Sequence, residues 1–408
     1  MRIAIYSHDT FGLGNIRRTL EICKHLNHSI AEASILIITG SPVLQSFRIP
    51  DGIDYVKLPC LKRDEDGNLT VRSLRHLRLK DVVEARRDLL YSIMRGFRPD
   101  VLLVDKKPAG VAGELLPSIV ELKLSRPQVQ VALLLRDILD SPAQTIALWR
   151  QQRSYDVLES HYDRVLVLGT PDVFDVCVEY QFPRVLRSRV EFCGYIRREP
   201  SCATRDQVRH EWEIGDRETV ALVTTGGGED GYHLIRAYLQ GLESIDPGEP
   251  AFSVVVTGPE LSAARQSDIR SMAMRCPHVK IVEFANDMMA LLNAADVVVS
   301  MGGYNTVCEL LTLRKPAVVV PRTWPVAEQL IRAERMSARG LFRTLHPAQL
   351  TPAVLMREVA AQIQARRSGA DFEVDLDMDA LPRIADFVRQ ANRAPVAEFA
   401  PLMATARV

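Results

Sequence analysis

The sequence predicts an α/β fold built from two consecutive doubly wound domains that face each other across a cleft. Short runs rich in Val, Ile and Leu alternate with longer amphipathic segments, which is typical of successive strands and helices. The alternation pauses at a polar stretch near residue 200 and then restarts. A chain of 408 residues is also too long for one compact core. We therefore expect an N-terminal domain at 1–197, a second domain at 198–370 and a helical tail at 371–408.

Five apolar runs in the first domain are predicted to be strands. Because their residues do not alternate between polar and apolar, we expect a parallel sheet with both faces covered by helices. Helical spacing of apolar residues lies between several of these runs, at 16–26 and 74–97. The predicted strands are residues 2–7, 35–39, 101–105, 131–135 and 164–168.

The second domain repeats this pattern after the polar stretch at 197–217. Apolar spacing at 376–392 predicts one more amphipathic helix in the tail, and packing of that tail against the N-terminal domain is one option. The predicted strands of the second domain are residues 220–224, 252–257, 279–284, 297–300 and 317–320.

Composition excludes several classes of protein. The net charge is zero, 47% of residues are hydrophobic and 25% are charged, so nucleic acid is not an expected partner. The seven cysteines form no CxxC pair, which is typical of reduced thiols. Met1 runs directly into a predicted strand, and no apolar run is long enough to cross a bilayer. We expect a cytoplasmic protein with at most peripheral contact at the inner membrane face.

The first glycine loop (residues 7–14) follows the first predicted strand and opens a helix. Gly12 and Gly14 permit a tight turn, and the helix N-terminus that follows favours negative charge. Arg17 occupies the third glycine position of a GxGxxG pattern. A plain strand-to-helix turn is therefore an equal alternative to a phosphate-binding loop.

The second glycine loop (residues 225–231) contains Gly226, Gly227 and Gly228 after the first strand of the second domain. Three consecutive glycines cost conformational entropy, so we expect some group to pack against bare backbone. Amides in such a loop suit a diphosphate. A flexible interdomain loop is the weaker alternative, because the glycines lie at the carboxyl end of a strand.

The third glycine loop (residues 301–303) is followed by the most informative helix. Gly302 and Gly303 provide a turn, and Asn305 or Thr306 begins a helix whose free amides and dipole favour an anion. Glu309 lies four residues after Asn305, on the same helix face. Its carboxylate could accept both hydroxyls of a ribose. The alternative for Glu309 is an ordinary solvated helix residue.

The segment from 283 to 330 resembles the GT-B glycosyltransferases with a family-28-type C-terminal domain. It is most similar to the bacterial N-acetylglucosaminyltransferases that complete lipid II. The similarity covers the order and spacing of E-F-x-x-D-M, A-D-V-V-V, S-M-G-G-Y-N-T-V-C-E-L, K-P-A-x-x-V-P and E-Q-L. The N-terminal half matches only in the first glycine loop and in V-D-K-x-P-x-G at 104–110. The resemblance implies two Rossmann-like domains and sugar transfer from a uridine-diphosphate sugar to an acceptor in the N-terminal half.

The resemblance also implies which residues hold the donor. Backbone at Phe284 and Ala285 would bind the base, Glu309 the ribose, and Glu328 and Gln329 the transferred sugar. The glycine loops and the helix start would bind the diphosphate. The complete donor-binding set is Gly12, Gly14, Arg18, Gly226, Gly227, Gly228, Phe284, Ala285, Gly302, Gly303, Tyr304, Asn305, Thr306, Glu309, Glu328 and Gln329.

We expect neither a metal nor a cofactor, with the nucleotide sugar acting as a substrate. In GT-B enzymes, helix amides and side chains neutralise the leaving diphosphate. The sequence has no DxD-like pair at a strand end and no His/Cys cluster with ligand spacing.

One departure from the family concerns the general base. A histidine usually follows the second glycine of the first loop and accepts the acceptor's proton, but this chain has Asn15 there. An amide cannot accept a proton at physiological pH. Loss of a general base typically removes about 10²–10⁴-fold in rate. We therefore hypothesise a displaced base, either His8 on the first loop or Asp105 at the end of the V-L-L-V-D strand.

Three functions remain open from the sequence. The leading one is a glycosyltransferase with an unidentified acceptor, either lipid-linked or a small molecule. A UDP-sugar 2-epimerase shares the fold, and Asn15 motivates a non-catalytic sugar-nucleotide-binding relative. The basic, leucine-containing segment 72–80 could contact an anionic membrane or a phosphorylated lipid, although a solvated helix face is the favoured alternative.

Overall fold

The computed structural model describes residues 1–7, 14–64, 67–228, 230–244, 250–276, 278–369 and 374–393. Two predicted site residues, His8 and Gly12, lie outside the described residues. In the described part of the chain, both domains alternate strands and helices, which confirms the predicted α/β class.

The strands fall close to the predicted apolar runs, with additional strands β3, β9 and β15 at the sheet edges and a separate antiparallel pair of β4 with β5. Their bounds are β1 Arg2–Ser7, β2 Ser34–Thr39, β3 Ile53–Lys57, β4 Leu61–Arg63, β5 Leu69–Val71, β6 Val101–Asp105, β7 Gln130–Arg136, β8 Arg164–Leu168, β9 Val190–Phe192, β10 Val220–Thr224, β11 Phe252–Val256, β12 Val279–Val282, β13 Val297–Ser300, β14 Ala317–Val319 and β15 Arg343–Thr344.

The helices connect these strands on both faces of each sheet. Their bounds are α1 Gly14–Ser29, α2 Leu79–Phe97, α3 Leu116–Ser125, α4 Pro142–Gln151, α5 Ser154–His161, α6 Val176–Glu179, α7 Arg184–Arg187, α8 Arg205–Glu211, α9 Tyr232–Ser244, α10 Ala263–Ala273, α11 Met288–Ala294, α12 Tyr304–Leu313, α13 Glu328–Ser337, α14 Pro352–Arg367 and α15 Ala380–Arg393, with 3-10 turns at Leu44–Ser46 and Pro347–Gln349.

The N-terminal sheet has the order β3-β2-β1-β6-β7-β8-β9, and every pair of neighbours is parallel. The chain builds outward from β1 in one direction and from β6 in the other. The strand order therefore reverses between β1 and β6, and the crevice at their carboxyl ends is where open α/β sheets bind ligands.

The C-terminal sheet repeats this arrangement with the order β12-β11-β10-β13-β14-β15, again all parallel. Its strand order reverses between β10 and β13. The central strands are fully buried, and the three valines at the start of β13 have no exposed surface, because helices cover both faces of the sheet. The carboxyl ends of β1, β6, β10 and β13 thus position the loops that the sequence singled out.

The C-terminal tail returns to the N-terminal domain. An isolated bridge joins Ile196 to Asp379 just before α15 begins. The Arg383 guanidinium then donates to the carbonyl oxygen of Cys193 at 2.7 Å, and Arg389 donates to that of Ser29 at the end of α1 at 3.1 Å. The tail helix therefore packs on the first helix of the chain.

Several local predictions differ from the structure. The helix predicted at 74–97 begins only at Leu79, and the basic segment before it is an exposed turn in which Leu74 and Leu77 are about half accessible. The polar stretch at 197–217, for which the sequence predicted no element, contains α8, which starts at a capping box between Thr204 and Gln207. None of the described helices is both long enough and apolar enough to cross a membrane.

Candidate active site

Two helix N-termini, one from each domain, meet across the cleft. α1 begins at Gly14 after the first glycine loop, and α12 begins at Tyr304 after the third glycine loop. The side-chain amide of Asn305 donates to the carbonyl oxygen of Gly14 at 2.9 Å. Neither helix carries an acidic residue in its first turn. Two positive helix ends therefore face each other without a neutralising carboxylate in either first turn.

Glu309 lies in the second turn of α12 and points toward the opposite domain. Arg17 of α1 donates to its Oε1 atom at 2.8 Å. The Glu309 side chain is 2% exposed, whereas that of Arg17 is 33% exposed. The alternative of a solvated helix residue is therefore wrong for Glu309, because the carboxylate is buried and paired.

The third glycine loop adopts a backbone that requires glycine at one position. Gly302 has a φ of +69°, and a Cβ atom there would lie 2.6 Å from Cγ1 of Val319. Gly303 has an ordinary φ and serves as the N-cap residue of α12. Immediately before this loop, the buried hydroxyl of Ser300 makes no hydrogen bond to the described residues. The helix start at Tyr304, Asn305 and Thr306 therefore follows a tight, buried turn, as the sequence predicted.

The second glycine loop packs partly on protein backbone. A Cβ atom on Gly228, whose φ is +98°, would lie 2.1 Å from the carbonyl oxygen of Thr257. Gly226 has a φ of +70° and no atom of the described residues within 4 Å of its Cβ position, while a Cβ on Gly227 would meet only the Glu260 side chain. Gly228 thus serves the fold, and Gly226 leaves bare backbone accessible.

The expected base-binding residues lie just beyond β12. Phe284 is about half exposed and Ala285 is partly buried. The amide of Gly258 donates to the carbonyl oxygen of Glu283 at 3.0 Å, which fixes this segment beside the loop after β11. This segment is accessible at the carboxyl edge of the sheet, and base binding by its backbone stays a prediction.

Glu328, the first residue of α13, is buried among cations. Its carboxylate lies 3.1 Å from Arg136 of the N-terminal domain, 3.6 Å from Arg322 and 4.0 Å from Arg332. Burial alone would raise the pKa of Glu328, but the charges of Arg136 and Arg332 outweigh it and lower the pKa to about 2. The Oε2 atom makes no well-directed hydrogen bond to the described residues. This oxygen is the one that lies 3.1 Å from Arg136, so its pairing is by charge.

Gln329 follows Glu328 and contacts the loop after β14. Its side-chain oxygen accepts a hydrogen bond from the Arg322 amide at 3.1 Å. A Cβ atom on Gly303 would lie 3.8 Å from its Nε2 atom. Gln329 is thus brought next to the third glycine loop, although its sequence position is remote.

The candidate base Asp105 forms a buried ion pair. Arg18 donates to Asp105 Oδ1 at 2.7 Å and to the side-chain oxygen of Asn15 at 3.3 Å. The other carboxylate oxygen of Asp105 makes no hydrogen bond to the described residues. Asn15, Arg18 and Asp105 therefore form one cluster at the carboxyl ends of β1 and β6. The role of Asp105 in catalysis stays a prediction.

A second buried ion pair was not predictable from the sequence, because its partners are 195 positions apart. Arg332 of α13 binds both carboxylate oxygens of Asp137, each at 2.8 Å, and both side chains are at most 1% exposed. Tyr195 donates to the same carboxylate at 3.1 Å, and its ring stacks on that of Tyr304. Asp137 follows directly after β7, so the strand-end rule that selected Asp105 could also have found it.

Lys106 lies beside this cluster, after the carboxyl end of β6. It adopts a left-handed backbone with a φ of +63°, and the carboxylates of Glu328 and Asp105 act on its charge. Burial and the neighbouring charge of Arg136 lower the pKa of Lys106 to about 7. By contrast, burial raises the pKa of the Cys308 thiol to about 11, which is typical of a structural cysteine. In the described residues no group of three His, Cys, Asp or Glu side chains is arranged to hold a metal.

Comparison with known proteins identifies the second domain. Residues 221–370 match the glycosyltransferase family 28 C-terminal domain. The chain is 31% identical over 198 residues to an uncharacterized glycosyltransferase from Methanopyrus kandleri, a match that spans 48% of this chain and 53% of that protein. It is 23% identical to the UDP-N-acetylglucosamine–N-acetylmuramyl-(pentapeptide) pyrophosphoryl-undecaprenol N-acetylglucosamine transferase of Alkaliphilus oremlandii, over 85% of this chain and 86% of that protein. Residues 221–370 are therefore similar to the C-terminal domain of family 28 glycosyltransferases.

Solved structures show the same two-domain fold. The crystal structure of Acinetobacter baumannii MurG superposes with a TM-score of 0.58 at 14% identity, covering 95% of this chain and 99% of that one. The calicheamicin glycosyltransferase CalG4 gives 0.60 at 17% identity, covering 97% and 99%. A Listeria monocytogenes structure solved as a candidate UDP-N-acetylglucosamine 2-epimerase gives 0.63 at 12% identity, covering 97% of both chains. At these identities the likeness establishes the GT-B fold alone. Because the match to the Methanopyrus relative spans about half of that protein, the reaction of this GT-B chain is a proposal.

Proposed function

We propose that this GT-B chain transfers a sugar from a nucleoside-diphosphate sugar, with UDP as the nucleotide, to an acceptor bound by the N-terminal domain. The observation that carries the proposal is the meeting of the α1 and α12 N-termini across the cleft, with Glu309 one turn further along α12. The free amides at the helix N-termini favour binding of a diphosphate. A carboxylate one turn further along the helix suits the ribose of the same nucleotide.

The surrounding side chains support a specific donor orientation. The base would contact backbone at Phe284 and Ala285, and the transferred sugar would lie toward Glu328, whose Oε2 atom has no hydrogen bond in the described part of the chain. Positive groups around the cleft, including Arg18 and Arg332, would stabilise the charge that develops on the leaving diphosphate. We propose that this replaces a metal ion in the reaction.

The group that removes the acceptor's proton is part of the proposal. Asp105 and His8 remain the candidates, and Asp105 has one carboxylate oxygen without a hydrogen bond in the described residues. If one of these residues is the base, its variant, His8→Gln or Asp105→Asn, should transfer sugar about 10²–10⁴-fold more slowly. Unchanged turnover in both variants would rule out both residues.

Two observations support a lipid-linked acceptor: the name of one relative, and an exposed surface of this chain. The Alkaliphilus relative acts on a pyrophosphoryl-undecaprenol substrate, as its name states. In this chain Leu74 and Leu77 are about half exposed within a segment that also carries Arg72, Arg75 and Arg78. Apolar and basic side chains together suit peripheral contact with an anionic membrane face. Binding to vesicles with and without anionic lipid tests this part.

Nucleotide binding is the first test of the function. UDP, GDP and dTDP are added to the full chain, and the melting temperature is followed. A ligand present at 100 times its Kd stabilises the folded state by about 2.7 kcal/mol, so binding gives a clear upward shift. UDP is expected to stabilise the chain more than the other two. No shift with any of them would overturn the proposal.

A UDP-sugar 2-epimerase is the second candidate, favoured by the likeness to the Listeria structure. An epimerase would release an epimer or free sugar from UDP-N-acetylglucosamine with no acceptor present. A transferase would need an acceptor for rapid consumption of the donor. Analysis of the products by NMR, with and without a lipid-linked acceptor, separates the two. Tight UDP binding without consumption of any donor would instead indicate a non-catalytic relative.

A further inference from the structure

Arg17 of the N-terminal domain binds the same carboxylate, that of Glu309, which is expected to bind the donor's ribose. Its guanidinium donates to Glu309 Oε1 at 2.8 Å, across the cleft between α1 and α12. Glu309 is almost completely buried, so its carboxylate cannot turn toward solvent. The ribose hydroxyls and the guanidinium therefore compete for the same carboxylate.

The position of the displaced guanidinium follows from helix geometry. Glu309 lies four residues after Asn305, which is about 6 Å along the helix axis. Moving one turn toward the start of α12 carries the Arg17 guanidinium to the two helix N-termini. An arginine side chain spans such a distance through its rotamers, and Arg17 is one-third exposed, so the movement needs no change in the fold.

The space at the two helix N-termini favours a guanidinium only when an anionic ligand is also bound there. The first turns of α1 and α12 contain no acidic side chain, and their amides already supply positive charge. Two buried polar atoms nearby, Oδ1 of Asn305 and Oγ of Ser300, have no hydrogen-bond partner among the described residues. As an amide oxygen, Oδ1 of Asn305 can accept a hydrogen bond from the arriving guanidinium, whereas the Ser300 hydroxyl can donate one to an anion.

We propose that Arg17 is a donor-binding residue that exchanges its partner, leaving Glu309 for the donor's diphosphate when the ribose binds. The proposal rests on the proposed function. Arg17 thereby couples the two halves of the donor: it opposes binding of a nucleoside without phosphate, and it strengthens binding of a nucleoside diphosphate. Arg18 does not make this exchange, because it is buried and held by Asp105, so it acts on the diphosphate only through its fixed charge.

The test compares uridine, UMP and UDP on the full chain by calorimetry, with the weaker ligands measured by competition against UDP. In Arg17→Met, we expect the preference for UDP over uridine to fall by about 10- to 100-fold, the worth of hydrogen bonds to a charged group. Uridine itself should bind several-fold more tightly, since Glu309 is released. Arg17→Lys keeps the charge and should restore part of the preference.

Arg335→Met is the matched control. Arg335 forms another ion pair between the domains, with Glu179 at 2.9 Å, and in the described part of the chain its guanidinium makes no hydrogen bond to a residue of the glycine loops. Its variant should leave the preference for UDP unchanged.

The outcomes separate the two proposals. A wild-type chain that prefers UDP, together with an unchanged preference in Arg17→Met, would overturn only the role of Arg17. Uridine and UDP affinities that fall by the same factor would also overturn it, because Arg17 would then be purely structural. A wild-type chain that binds neither the uridine series nor the matching guanosine and thymidine compounds would overturn the proposed function itself.

Discussion

Lys106 and Glu328 are oppositely charged residues from opposite domains that share one buried environment. The pKa of Lys106 is lowered to about 7, by burial first and by Arg136 second. When folding lowers the pKa of a lysine, keeping its ammonium charged in the folded state reduces the stability of the protein. That cost is present in full below pH 7 and fades as the pH rises toward the unfolded value of 10.5.

Replacing Lys106 with methionine should therefore stabilise the chain in a pH-dependent way. The variant removes the buried ammonium and keeps most of the side-chain volume. We expect its free energy of unfolding to exceed that of the wild type most at pH 6, and the difference to shrink between pH 7 and 10. Urea unfolding at several pH values measures this. A difference that is constant across the range would show that Lys106 is not a perturbed lysine.

Glu328→Gln tests the expected contact with the transferred sugar. The amide keeps the shape of the side chain but loses its charge and one acceptor. We expect UDP to bind as in the wild type, while a UDP-sugar binds roughly 10-fold more weakly, since hydrogen bonds to charged groups are stronger than neutral ones. Titration with both ligands makes the measurement.

Glu334→Gln is the control, because Glu334 lies on the exposed face of the same helix. Equal weakening of UDP and UDP-sugar binding by Glu328→Gln would show that Glu328 supports the fold of the site and does not contact the sugar.

Individual site residues were predictable from sequence where local spacing decides their position. Asn305 and Glu309 share a helix face because they are four residues apart, and the structure has both on the cleft side of α12. Their partners were not predictable. Gly14 and Arg17 reach them across 291 and 292 positions, and only the relative placement of the two domains brings them together.

The glycine loops show how an element can serve two purposes at once. In the second glycine loop, Gly228 packs against the carbonyl of Thr257, whereas Gly226 faces open space. The sequence predicted that some group approaches bare backbone there. For Gly228 that group is another loop of the same domain, so three adjacent glycines do not have a common role.

Alanine substitutions should separate these roles. Both positions have a positive φ, so each alanine costs about 1–2 kcal/mol for the left-handed backbone. Gly228→Ala adds a clash with backbone and should lower the melting temperature well beyond Gly226→Ala. Gly226→Ala should instead mainly weaken UDP binding. Equal losses of stability in the two variants would contradict the packing described for Gly228.

The central strands were predictable because they are buried on both faces and therefore consist of continuous apolar residues. Of the edge strands, β12 was predicted, but β3, β9 and β15 were not. β3 has exposed residues such as Asp54 and Tyr55, and β15 is only two residues long, so neither produces a continuous apolar run. The start of α2 was misjudged because leucines at 74 and 77 continue the helical spacing, while the chain is a turn there.

At the scale of the whole molecule, buried charges connect the two domains. Arg332 and Asp137 form a bidentate pair between α13 and the end of β7, and Arg332 also donates to the carbonyl oxygen of Gly302 at 3.4 Å. The third glycine loop is thus linked to the contact between the domains. Any change in the relative position of the domains acts directly on the loop proposed to bind the diphosphate.

Arg332→Met should cost about 3–5 kcal/mol of stability, because it leaves Asp137 buried without its partner. Asp137→Asn should also destabilise, and the double variant should lose less than the sum of the two single losses, since neither charge is then left unpaired. Chemical unfolding of the four proteins gives the coupling energy. Small-angle scattering should show a larger radius of gyration for Arg332→Met, as the domains lose their buried link.

Arg335→Met provides the comparison for this prediction. Its pair with Glu179 also joins the domains, but Arg335 is about half exposed, and exposed ion pairs contribute only about 0–1 kcal/mol. If Arg332→Met lost no more stability than Arg335→Met, the buried pair would not hold the domains together. An unchanged radius of gyration with a large stability loss would place the role of Arg332 within α13 and the third glycine loop, and not between the domains.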